Sequence, residues 1–198
     1  IIMSVYNAES HVLEATASIR NQTLTDYEFI IIDDGSSDRT LDLIQKEAER
    51  DSRIRIFENV ENRGLTESLN LGLKHSRGRF IARQDADDVA LPNRLEEQLR
   101  TFNENRTLVL CGSNVIMVDK QLKPLTQTRL PTDDNSIRAH CLFINPFFHS
   151  TVMFRTETIR RFNLKYDLNF KTTQDYEFWI RLLDFGLVEN LGEPLVYF

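Results

Sequence analysis

The sequence predicts an α/β fold built on an open, mostly parallel, doubly wound sheet with helices on both faces. The main observation is that four short apolar runs alternate with four helical patterns over residues 1–105, which is typical of parallel βα units. The composition agrees, because 41% of the residues are hydrophobic and 27% are charged, as in ordinary globular proteins. The length of 198 residues also suits one domain that buries roughly two-thirds of its unfolded surface.

Each of the four units has its own signal. The predicted strands are residues 1–6, 27–33, 53–57 and 79–83. The predicted helices repeat apolar residues at helical spacing, namely Val12, Ala15 and Ile19, then Leu41, Ile44 and Ala48, then Leu65, Leu69 and Leu73, and finally Leu95, Leu99 and Phe102. The run Phe29-Ile30-Ile31-Ile32 is unbroken, so the second strand should be covered on both faces. Pro92 opens the fourth helix at a position where its missing N–H is harmless.

The second half of the chain is less regular. Short strands are predicted at 108–111, 115–118 and 149–154, with a polar turn at Asp119-Lys120 and helices at 132–144 and 174–185. The last helix is the strongest, since Phe178, Leu182 and Phe185 share one face. We treat residues 1–198 as a single domain with a regular half (1–105) and a less regular half (106–198). Both ends lie inside apolar runs, so we expect the domain to be cut from a longer protein.

Composition and patterning exclude several classes of function. The formal net charge is −6, whereas nucleic-acid-binding surfaces are basic and clustered, so no nucleic acid is expected. The two cysteines, Cys111 and Cys141, form neither a disulfide framework nor a zinc cage. No apolar run reaches the ~20 residues of a membrane span, and no signal peptide is recognisable. These features predict a cytoplasmic protein with reduced cysteines.

A group of four basic residues in the second half of the chain suggests contact with a membrane surface. Its members are Arg155, Arg160, Arg161 and Lys165. Clustered basic side chains are attracted to anionic lipid. Peripheral contact with the inner face of the cytoplasmic membrane is therefore a second expectation for this chain.

Acidic residues cluster where the predicted strands end. Asp33 and Asp34 follow the second strand, and Asp85, Asp87 and Asp88 follow the fourth. Ligands of open α/β sheets bind beyond the carboxyl ends of the strands, and converging carboxylates need a cation or hydrogen-bond donors. No glycine-rich phosphate cradle is present. Since Mg²⁺ takes one or two carboxylates together with substrate phosphates, Asp85-Ala86-Asp87 predicts a half-site for Mg²⁺ or Mn²⁺ that a diphosphate completes. Helix capping is the alternative interpretation of Asp88.

Five stretches of the chain resemble, in the same order, the bacterial glycosyltransferases of sequence family 2, whose fold is GT-A. Each stretch alone is weak, but five in order across residues 1–185 are specific. The stretches are Ser4-Val5-Tyr6-Asn7-Ala8-Glu9, Ile32-Asp33-Asp34-Gly35-Ser36-Ser37-Asp38, Asn62-Arg63-Gly64-Leu65 with Asn70, Asp85-Ala86-Asp87-Asp88 through Leu91-Pro92-Asn93-Arg94-Leu95, and Gln174-Asp175-Tyr176-Glu177-Phe178-Trp179.

The resemblance implies that residues 1–105 form a nucleotide-sugar-binding half. The residues expected to contact the donor are Val5, Tyr6, Glu9, Asp33, Asp34, Arg63, Gly64, Asp85 and Ala86. Within this set, Asp34 would accept a hydrogen bond from N3–H of uracil, and Asp33 would position the same loop. Asp87 is the expected metal ligand, and Asp85 would bind the ribose or reach the metal through water.

The resemblance also implies that residues 106–198 form an acceptor-binding half. Asp175 matches the catalytic base of the family, although the usual Glu-Asp step is Gln174-Asp175 here. His149 and Trp179 are expected on the acceptor side. Each of the three has a structural alternative, because Asp175 suits a helix terminus, His149 suits a satisfied buried histidine, and Trp179 suits a core aromatic residue.

The function implied by the resemblance is that of an inverting, metal-dependent hexosyl- or N-acetylhexosaminyl-transferase with Mn²⁺ or Mg²⁺ as cofactor. It would move a sugar from a nucleotide-diphosphate sugar, with a UDP-sugar favoured, to a hydroxyl group of a glycan or lipid-linked glycan. The pathway expected for such an enzyme is the synthesis of cell-surface polysaccharide or lipid-linked glycan.

Three alternatives remain open from the sequence. A module that binds nucleotide sugar without transferring it is one, although Asp175 argues against it. A phospho-acceptor domain would explain Asp33-Asp34 but needs a third acid and a lysine on later strands. A haloacid-dehalogenase-type phosphatase would explain Asp85-Ala86-Asp87-Asp88-Val89, yet that motif normally ends the first strand of its core, and three βα units precede it here.

Overall fold

The computed structural model describes all residues, 1–198, and contains one nine-stranded sheet with helices against it. The strands are β1 (Ile2–Val5), β2 (Phe29–Asp33), β3 (Ile54–Glu58), β4 (Phe80–Gln84), β5 (Val89–Ala90), β6 (Leu108–Val118), β7 (Pro124–Gln127), β8 (Met153–Arg155) and β9 (Leu187–Tyr197). The helices are α1 (Val12–Arg20), α2 (Thr40–Arg50), α3 (Leu65–His75), α4 (Arg94–Glu104), α5 (Asp134–His140), α6 (Thr156–Arg161) and α7 (Gln174–Leu182). None of the helices has the length and hydropathy that a membrane span requires.

The first half confirms the predicted parallel, doubly wound arrangement. Strands β3, β2, β1 and β4 lie side by side in that order, and all three pairings are parallel. The five residues of β2 are all buried. Phe29 and Ile31 enter one apolar cluster, while Ile30 and Ile32 enter the other. The sheet is therefore covered on both faces, as the unbroken apolar run of β2 predicts.

The order of these four strands creates a topological switch point between β1 and β4. The chain moves outward from β1 to β2 and β3, and then returns to place β4 on the other side of β1. In open α/β sheets the crevice beyond the carboxyl ends at such a point is the usual ligand site. Val5 ends β1, and Asp85 directly follows β4, so the motif residues of the first half lie at this edge.

The second half continues the same sheet in mixed orientation. Strand β8 pairs antiparallel with β4 and with β6, while β9 runs parallel to β6. The short strand β5 pairs antiparallel with the end of β9, and β7 forms a hairpin with β6 after the predicted polar turn. The irregular half is thus joined to the parallel half mainly through the pairing of β4 with β8.

The sequence predictions for the second half are wrong in several places. The two strands expected at 108–111 and 115–118 are one strand, β6. The interruption by Gly112, Ser113 and Asn114 suggested a break, but Asn114 is buried and satisfied, since its side chain donates to Gly192 O and accepts from Leu130 N. Strand β9 was not predicted, because Gly192 and Pro194 interrupt its apolar pattern. The elements β5, β7 and α6 were also not predicted.

Three element boundaries also differ from the predictions. The helix expected at 132–144 is confined to α5, which Asp133 caps by accepting a hydrogen bond from Ser136 N. The strand expected at 149–154 begins instead with a 3₁₀ turn at His149–Thr151. Helix α4 begins at Arg94, two residues after Pro92. The helix predicted at 174–185 is confirmed as α7 followed by a 3₁₀ turn, Leu183–Phe185.

Candidate active site

The loops after β1 and β2 are tied together at the carboxyl edge of the sheet. Asn7 N–H donates to Ser36 Oγ at 3.0 Å, and Asn7 Oδ1 accepts from Ser37 N at 2.8 Å. Glu9 accepts from both the backbone and the side chain of Arg39. These exchanges give the predicted nucleoside loops a defined shape. Tyr6 is half exposed at the rim of this edge.

The two neighbouring aspartates at the end of β2, Asp33 within it and Asp34 just after it, both support the loops that follow. Asp34 is 2% exposed; its Oδ1 accepts from Asn59 Nδ2 (2.7 Å) and Arg63 N (3.0 Å), and its Oδ2 accepts from Gly64 N (2.8 Å). Asp33 accepts from Ser36 N through Oδ2, while its buried Oδ1 has no partner. A carboxylate offers about four acceptor positions, so the three hydrogen bonds leave one position unfilled on this almost fully buried side chain. The uracil contact of Asp34 stays a prediction.

The structure corrects the expected role of the Val5 side chain. It is 1% exposed and belongs to the apolar cluster under α1. The Val5 carbonyl accepts from Asp34 N at 2.8 Å. Only the backbone of Val5 is therefore available to shape a nucleoside site, because the side chain is needed in the core.

A buried arginine holds the first acid of the motif after β4. Arg83 is 2% exposed and forms an ion pair with Asp85. Burial is the largest single influence on Asp85 and opposes its ionisation, but the charge and hydrogen bond of Arg83 together with the charges of His149 and Arg94 outweigh it and lower the pKa of this carboxyl. An isolated buried arginine is costly, so this pair explains why a charged residue ends an apolar strand. The sequence offered a signal for this pair, because Arg83 is a charged residue directly after the apolar run Phe80-Ile81-Ala82.

The loop from Asp85 to Asp88 is supported from below by α4. Arg94 is fully buried and donates to Gln84 Oε1 at 2.9 Å and to Arg83 O at 2.6 Å. Gln84 in turn donates to Asp88 O at 2.7 Å. Burial lowers the pKa of Arg94 to about 10, so it remains charged at neutral pH. The Pro-Asn-Arg segment of the sequence motif thus holds the acidic loop in place.

The last two acids of the loop differ in environment. Asp87 is exposed. Asp88 is 5% exposed with Oδ2 unpaired, and burial raises its pKa to about 7, with the charges of Asp85 and Asp87 adding to the rise and Ser150 opposing it. The alternative that Asp88 caps the next helix is wrong, since Asn93 occupies the N-cap of α4.

The donor set suits a cation that shares its coordination with a ligand. No group of three histidine, cysteine or carboxylate side chains lies close enough to hold a metal ion by itself. Mg²⁺ and similar hard cations instead combine one or two carboxylates with phosphate oxygens. Asp87, exposed beside Asp85, fits that arrangement.

A histidine and a tyrosine from the second half lie near the Arg83–Asp85 pair. His149 Nε2 and the Tyr166 hydroxyl share a hydrogen bond of 3.2 Å. Burial, aided by Arg83 and opposed by Asp85, lowers the pKa of His149 to about 3, so the imidazole is neutral. Burial also raises the pKa of Tyr166, and nearby Asp175 and Asp85 raise it further. Tyr166 therefore lies in the fields of both acids, which come from different halves of the chain.

Tyr166 is fixed to the first half by a pair of backbone hydrogen bonds. Asn70 of α3 donates to Tyr166 O at 2.9 Å and accepts from Tyr166 N at 2.9 Å. Neither Tyr166 nor Arg83 was among the predicted site residues. Arg83 carried a usable signal, whereas nothing in the sequence around Tyr166 marked it.

Asp175 lies in the first turn of α7 and is half-buried. Its Oδ2 accepts from Asn145 Nδ2 at 2.8 Å. The N-cap position belongs to Thr173, whose side chain makes no capping bond, so Asp175 does not cap the helix, although it does lie at the positive end of the helix dipole. Asn145, also missed from the sequence, leaves the other carboxylate oxygen of Asp175 without a protein partner.

For Trp179 the structure supports the alternative that it is a core aromatic residue. It is fully buried in the core, with ring centroids 5.8 Å from His149 and 5.9 Å from Phe154. A side chain without exposed surface cannot touch an acceptor in this conformation. Trp179 instead packs behind His149, which is half-buried.

Comparison with known proteins identifies a family across most of the chain. The profile described as "Glycosyl transferase family 2" matches residues 1–173, so the match ends just before Asp175. An uncharacterized glycosyltransferase of Haemophilus influenzae is 34% identical over 99% of this chain, which spans 63% of that relative. The amylovoran biosynthesis glycosyltransferase AmsE of Erwinia amylovora is 30% identical over 99% of this chain and 74% of its own length.

Solved structures show the same fold. S. aureus TarS (residues 1–349), in complex with UDP-GlcNAc, superposes with a TM-score of 0.83 at 20% identity, covering all of this chain and 57% of that one. The mannosyltransferase PcManGT of Pyrobaculum calidifontis, in complex with GDP-Man and Mn²⁺, gives a TM-score of 0.72 at 17% identity, covering 98% of this chain and 53% of its own. These likenesses confirm the GT-A fold that the sequence resemblance implies.

Proposed function

The chain belongs to glycosyl transferase family 2, and from that premise we propose that it transfers a sugar from a nucleotide-diphosphate sugar to an acceptor hydroxyl group with inversion at the anomeric carbon. The observation that carries the proposal is that two acids from different halves of the chain lie near the phenol of Tyr166. Asp85, from the motif after β4, and Asp175, from α7, both act on the pKa of Tyr166. Their shared effect on Tyr166, which Asn70 ties to α3, supports placing the donor-side acid and the half-buried Asp175 on one crevice at the switch point of the sheet.

The donor side is formed by the first half of the chain. The nucleoside binds against the loops after β1 and β2, with Tyr6 at the rim and the remaining acceptor position of Asp34 directed to the base. The sugar and the diphosphate extend toward Asp85 and Asp87. The backbone N–H groups of Arg63 and Gly64 donate to Asp34, so this loop contributes its shape to the donor side rather than free N–H groups.

A divalent cation, Mn²⁺ or Mg²⁺, completes the donor side in this proposal. Asp87 holds it, with Asp85 beside it, and the diphosphate supplies the other oxygens. When bound, the cation neutralises charge on the leaving diphosphate. The role of Arg83 is to keep Asp85 ionised and oriented for the ribose or the cation.

The chemistry on the acceptor side belongs to Asp175. The acceptor oxygen attacks the anomeric carbon from the face opposite to the diphosphate; its proton passes to the free oxygen of Asp175 as the bond from carbon to the diphosphate oxygen breaks. Asn145 fixes the second oxygen of Asp175 during this step. His149 and Tyr166 remain neutral, because their pKa values are displaced away from the physiological range. They therefore shape the site and exclude water without exchanging protons.

The family and the structural neighbours support a class of donor and acceptor rather than one particular sugar. The TarS structure contains UDP-GlcNAc, and AmsE is named for amylovoran biosynthesis. A UDP-hexose or UDP-N-acetylhexosamine donor and a glycan or lipid-linked glycan acceptor fit both. The family match disfavours the phospho-acceptor and phosphatase alternatives. The module that binds without transfer differs from the proposal only in turnover.

The direct test is donor-dependent release of nucleoside diphosphate. UDP-GlcNAc, UDP-glucose and GDP-mannose are each supplied with Mn²⁺ and a set of oligosaccharide acceptors, and UDP or GDP is measured. The proposal expects release that requires both acceptor and cation, with an inverted anomeric proton coupling in the NMR spectrum of the product. A protein that binds a donor with micromolar affinity and releases no diphosphate with any acceptor would support the binding module instead.

A further inference from the structure

A groove lined by arginines lies at the edge of the sheet opposite to the candidate active site. It is formed where β4 begins and antiparallel β8 ends, with Phe80 paired to Arg155. Its volume is about 550 Å³. Glu157 is the one acidic residue in its lining, against six arginines: Arg77, Arg79, Arg106, Arg155, Arg160 and Arg161. The acids after β4 are at the far end of the same strand.

These arginines differ from most of the others in the chain. Of the eighteen arginines, ten form an ion pair with an aspartate or glutamate within 4.0 Å. None of the six arginines of the groove does so. In a protein of net charge −6, acids to pair with them are plentiful. Because none of the six side chains is paired with a carboxylate and Glu157 is the one acid in the lining, positive charge is concentrated in one concave place.

Part of the groove is held in a fixed geometry. Arg155 donates to Leu108 O at 2.6 Å, to Phe102 O at 3.1 Å and to Asn105 O at 3.2 Å. Its guanidinium lies 5.3 Å from the ring centroid of Phe80. Arg160 donates to Ser76 O at 2.7 Å. The wall is thus built by bonded arginines, while Arg79, Arg106 and Arg161 are exposed around it without carboxylate partners.

The charges in the groove are close enough to act on one another. Burial lowers the pKa of Arg155, and the neighbouring charges of Arg106 and Arg79 lower it further, with Glu157 opposing them. An anion in the groove would relieve this repulsion. Lys165, which the sequence grouped with Arg155, Arg160 and Arg161, borders a different cavity beside Asn59 and Arg63, so the group that the sequence indicated is only partly correct.

We propose that this groove is a second ligand site, which binds a multiply charged phosphoryl group. Guanidinium groups match phosphate oxygens in a planar, two-pronged geometry that a lysine does not offer. The volume accommodates a pyrophosphate or a phosphorylated headgroup. The source of the phosphate is either a free polyphosphate or an anionic phospholipid, and both present the same chemistry to the arginines.

The experiment compares two triple variants that remove equal charge. Arg79→Gln/Arg106→Gln/Arg161→Gln removes the exposed arginines of the groove and leaves the bonded Arg155 and Arg160 in place. The matched control is Lys120→Gln/Lys123→Gln/Arg129→Gln, three exposed cations without an ion pair near the β6–β7 hairpin. Inorganic pyrophosphate is titrated calorimetrically in EDTA, which removes the cation that the candidate active site requires. Circular dichroism melting confirms that both variants fold.

The proposal expects the groove variant to bind pyrophosphate about tenfold more weakly than the wild type, or worse, and the control variant within about twofold of it. Co-sedimentation with phosphatidylglycerol vesicles, with phosphatidylcholine vesicles as reference, identifies the source. Retention on phosphatidylglycerol that is lost in the groove variant supports the lipid headgroup, and pyrophosphate binding without retention supports a free phosphate. Equal weakening in both triple variants, or a wild type that binds neither probe, would overturn the proposal.

Discussion

The two halves of the molecule hold their site residues by different means. In residues 1–105, Asp34 is buried and accepts three hydrogen bonds, two of them from backbone N–H groups. In residues 106–198, Asp175 is half-buried and accepts one, from the side chain of Asn145. Asp34 therefore has three of its roughly four acceptor positions filled, whereas one carboxylate oxygen of Asp175 has no protein partner.

This contrast indicates a division of labour between the halves. A carboxylate that orders backbone stabilises the fold, because removing it leaves buried donors unpaired. A carboxylate with a free oxygen next to a cleft is available to accept a proton. Substitutions in the first half should therefore act mainly on stability and donor binding, and substitutions around Asp175 should act mainly on turnover.

The largest expected effect is on turnover in Asp175→Asn. The amide cannot take the acceptor proton, so the rate of sugar transfer should fall by about 10²–10⁴-fold, the usual contribution of a positioned base. Donor affinity should stay within about twofold of the wild type, since Asp175 is not placed on the donor. Single-turnover transfer and donor titration measure the two quantities separately. Asp184→Asn is the control, because Asp184 is exposed just beyond the same helix. Near-normal transfer by Asp175→Asn would remove the assigned role.

The next effect concerns stability in the first half. Asp34→Ala leaves Arg63 N–H and Gly64 N–H without their acceptor, so the free energy of unfolding should fall by about 2–4 kcal/mol. Urea unfolding at pH 7 measures it. The control, Asp42→Ala, removes an exposed acid from the first turn of α2 and should lower stability by less than about 1 kcal/mol. If the two variants were equally stable, Asp34 would not be the anchor described above.

A substitution at Asn145 tests the environment of Asp175 in the second half of the chain. Asn145→Asp places a like charge against Asp175, which disfavours ionisation of the base. The acid limb of the pH profile of transfer should move to higher pH by about one unit. Asn135→Asp adds the same charge at an exposed site on α5 and should leave the profile in place. An unmoved limb in Asn145→Asp would show that Asp175 does not set the pH dependence.

The smallest effect is expected at Tyr166. Tyr166→Phe keeps the ring and removes the hydroxyl that His149 bonds, so the free energy of unfolding should fall by about 0.5–1.5 kcal/mol. Because burial raises the pKa of Tyr166, the phenol stays protonated, and the variant should keep the wild-type pH profile of transfer. If the variant lost one limb of that pH profile, the Tyr166 hydroxyl would take part in proton transfer. That result would contradict the assignment of proton transfer to Asp175.

Sequence reasoning succeeded where structure is local. The parallel strands and their helices follow from short-range periodicity, and the all-buried β2 is an instance. The carboxyl-edge acids follow from the same pattern, because a strand that ends in aspartates at a switch point defines where they lie. The family resemblance and the GT-A fold are likewise confirmed by the comparisons.

What sequence reasoning missed depends on contacts between distant segments. Tyr166 is held at the site by contacts with distant segments, among them Asn70, 96 positions earlier, which bonds its backbone. The sequence around Trp179 does not distinguish an aromatic residue at the edge of the site from one in the core. Its packing against Phe154 shows that it belongs to the core. Ser113 and Asn114 looked like a strand break, because the partners that satisfy the buried Asn114 side chain come from the later β9 and the loop before α5. Such partners are not visible in any local window.

The most direct test of the central claim is a thermal-shift titration of UDP-GlcNAc in Mn²⁺ and in EDTA with three proteins: the wild type, Asp87→Asn and Asp175→Asn. Donor at about 100 times Kd should stabilise a competent protein by about 2.7 kcal/mol. We expect the shift for the wild type and Asp175→Asn in Mn²⁺ alone, and no shift for Asp87→Asn under either condition. Equal shifts in chelator, or a shift lost in Asp175→Asn and kept in Asp87→Asn, would contradict the assignment of donor binding to the first half and proton transfer to the second.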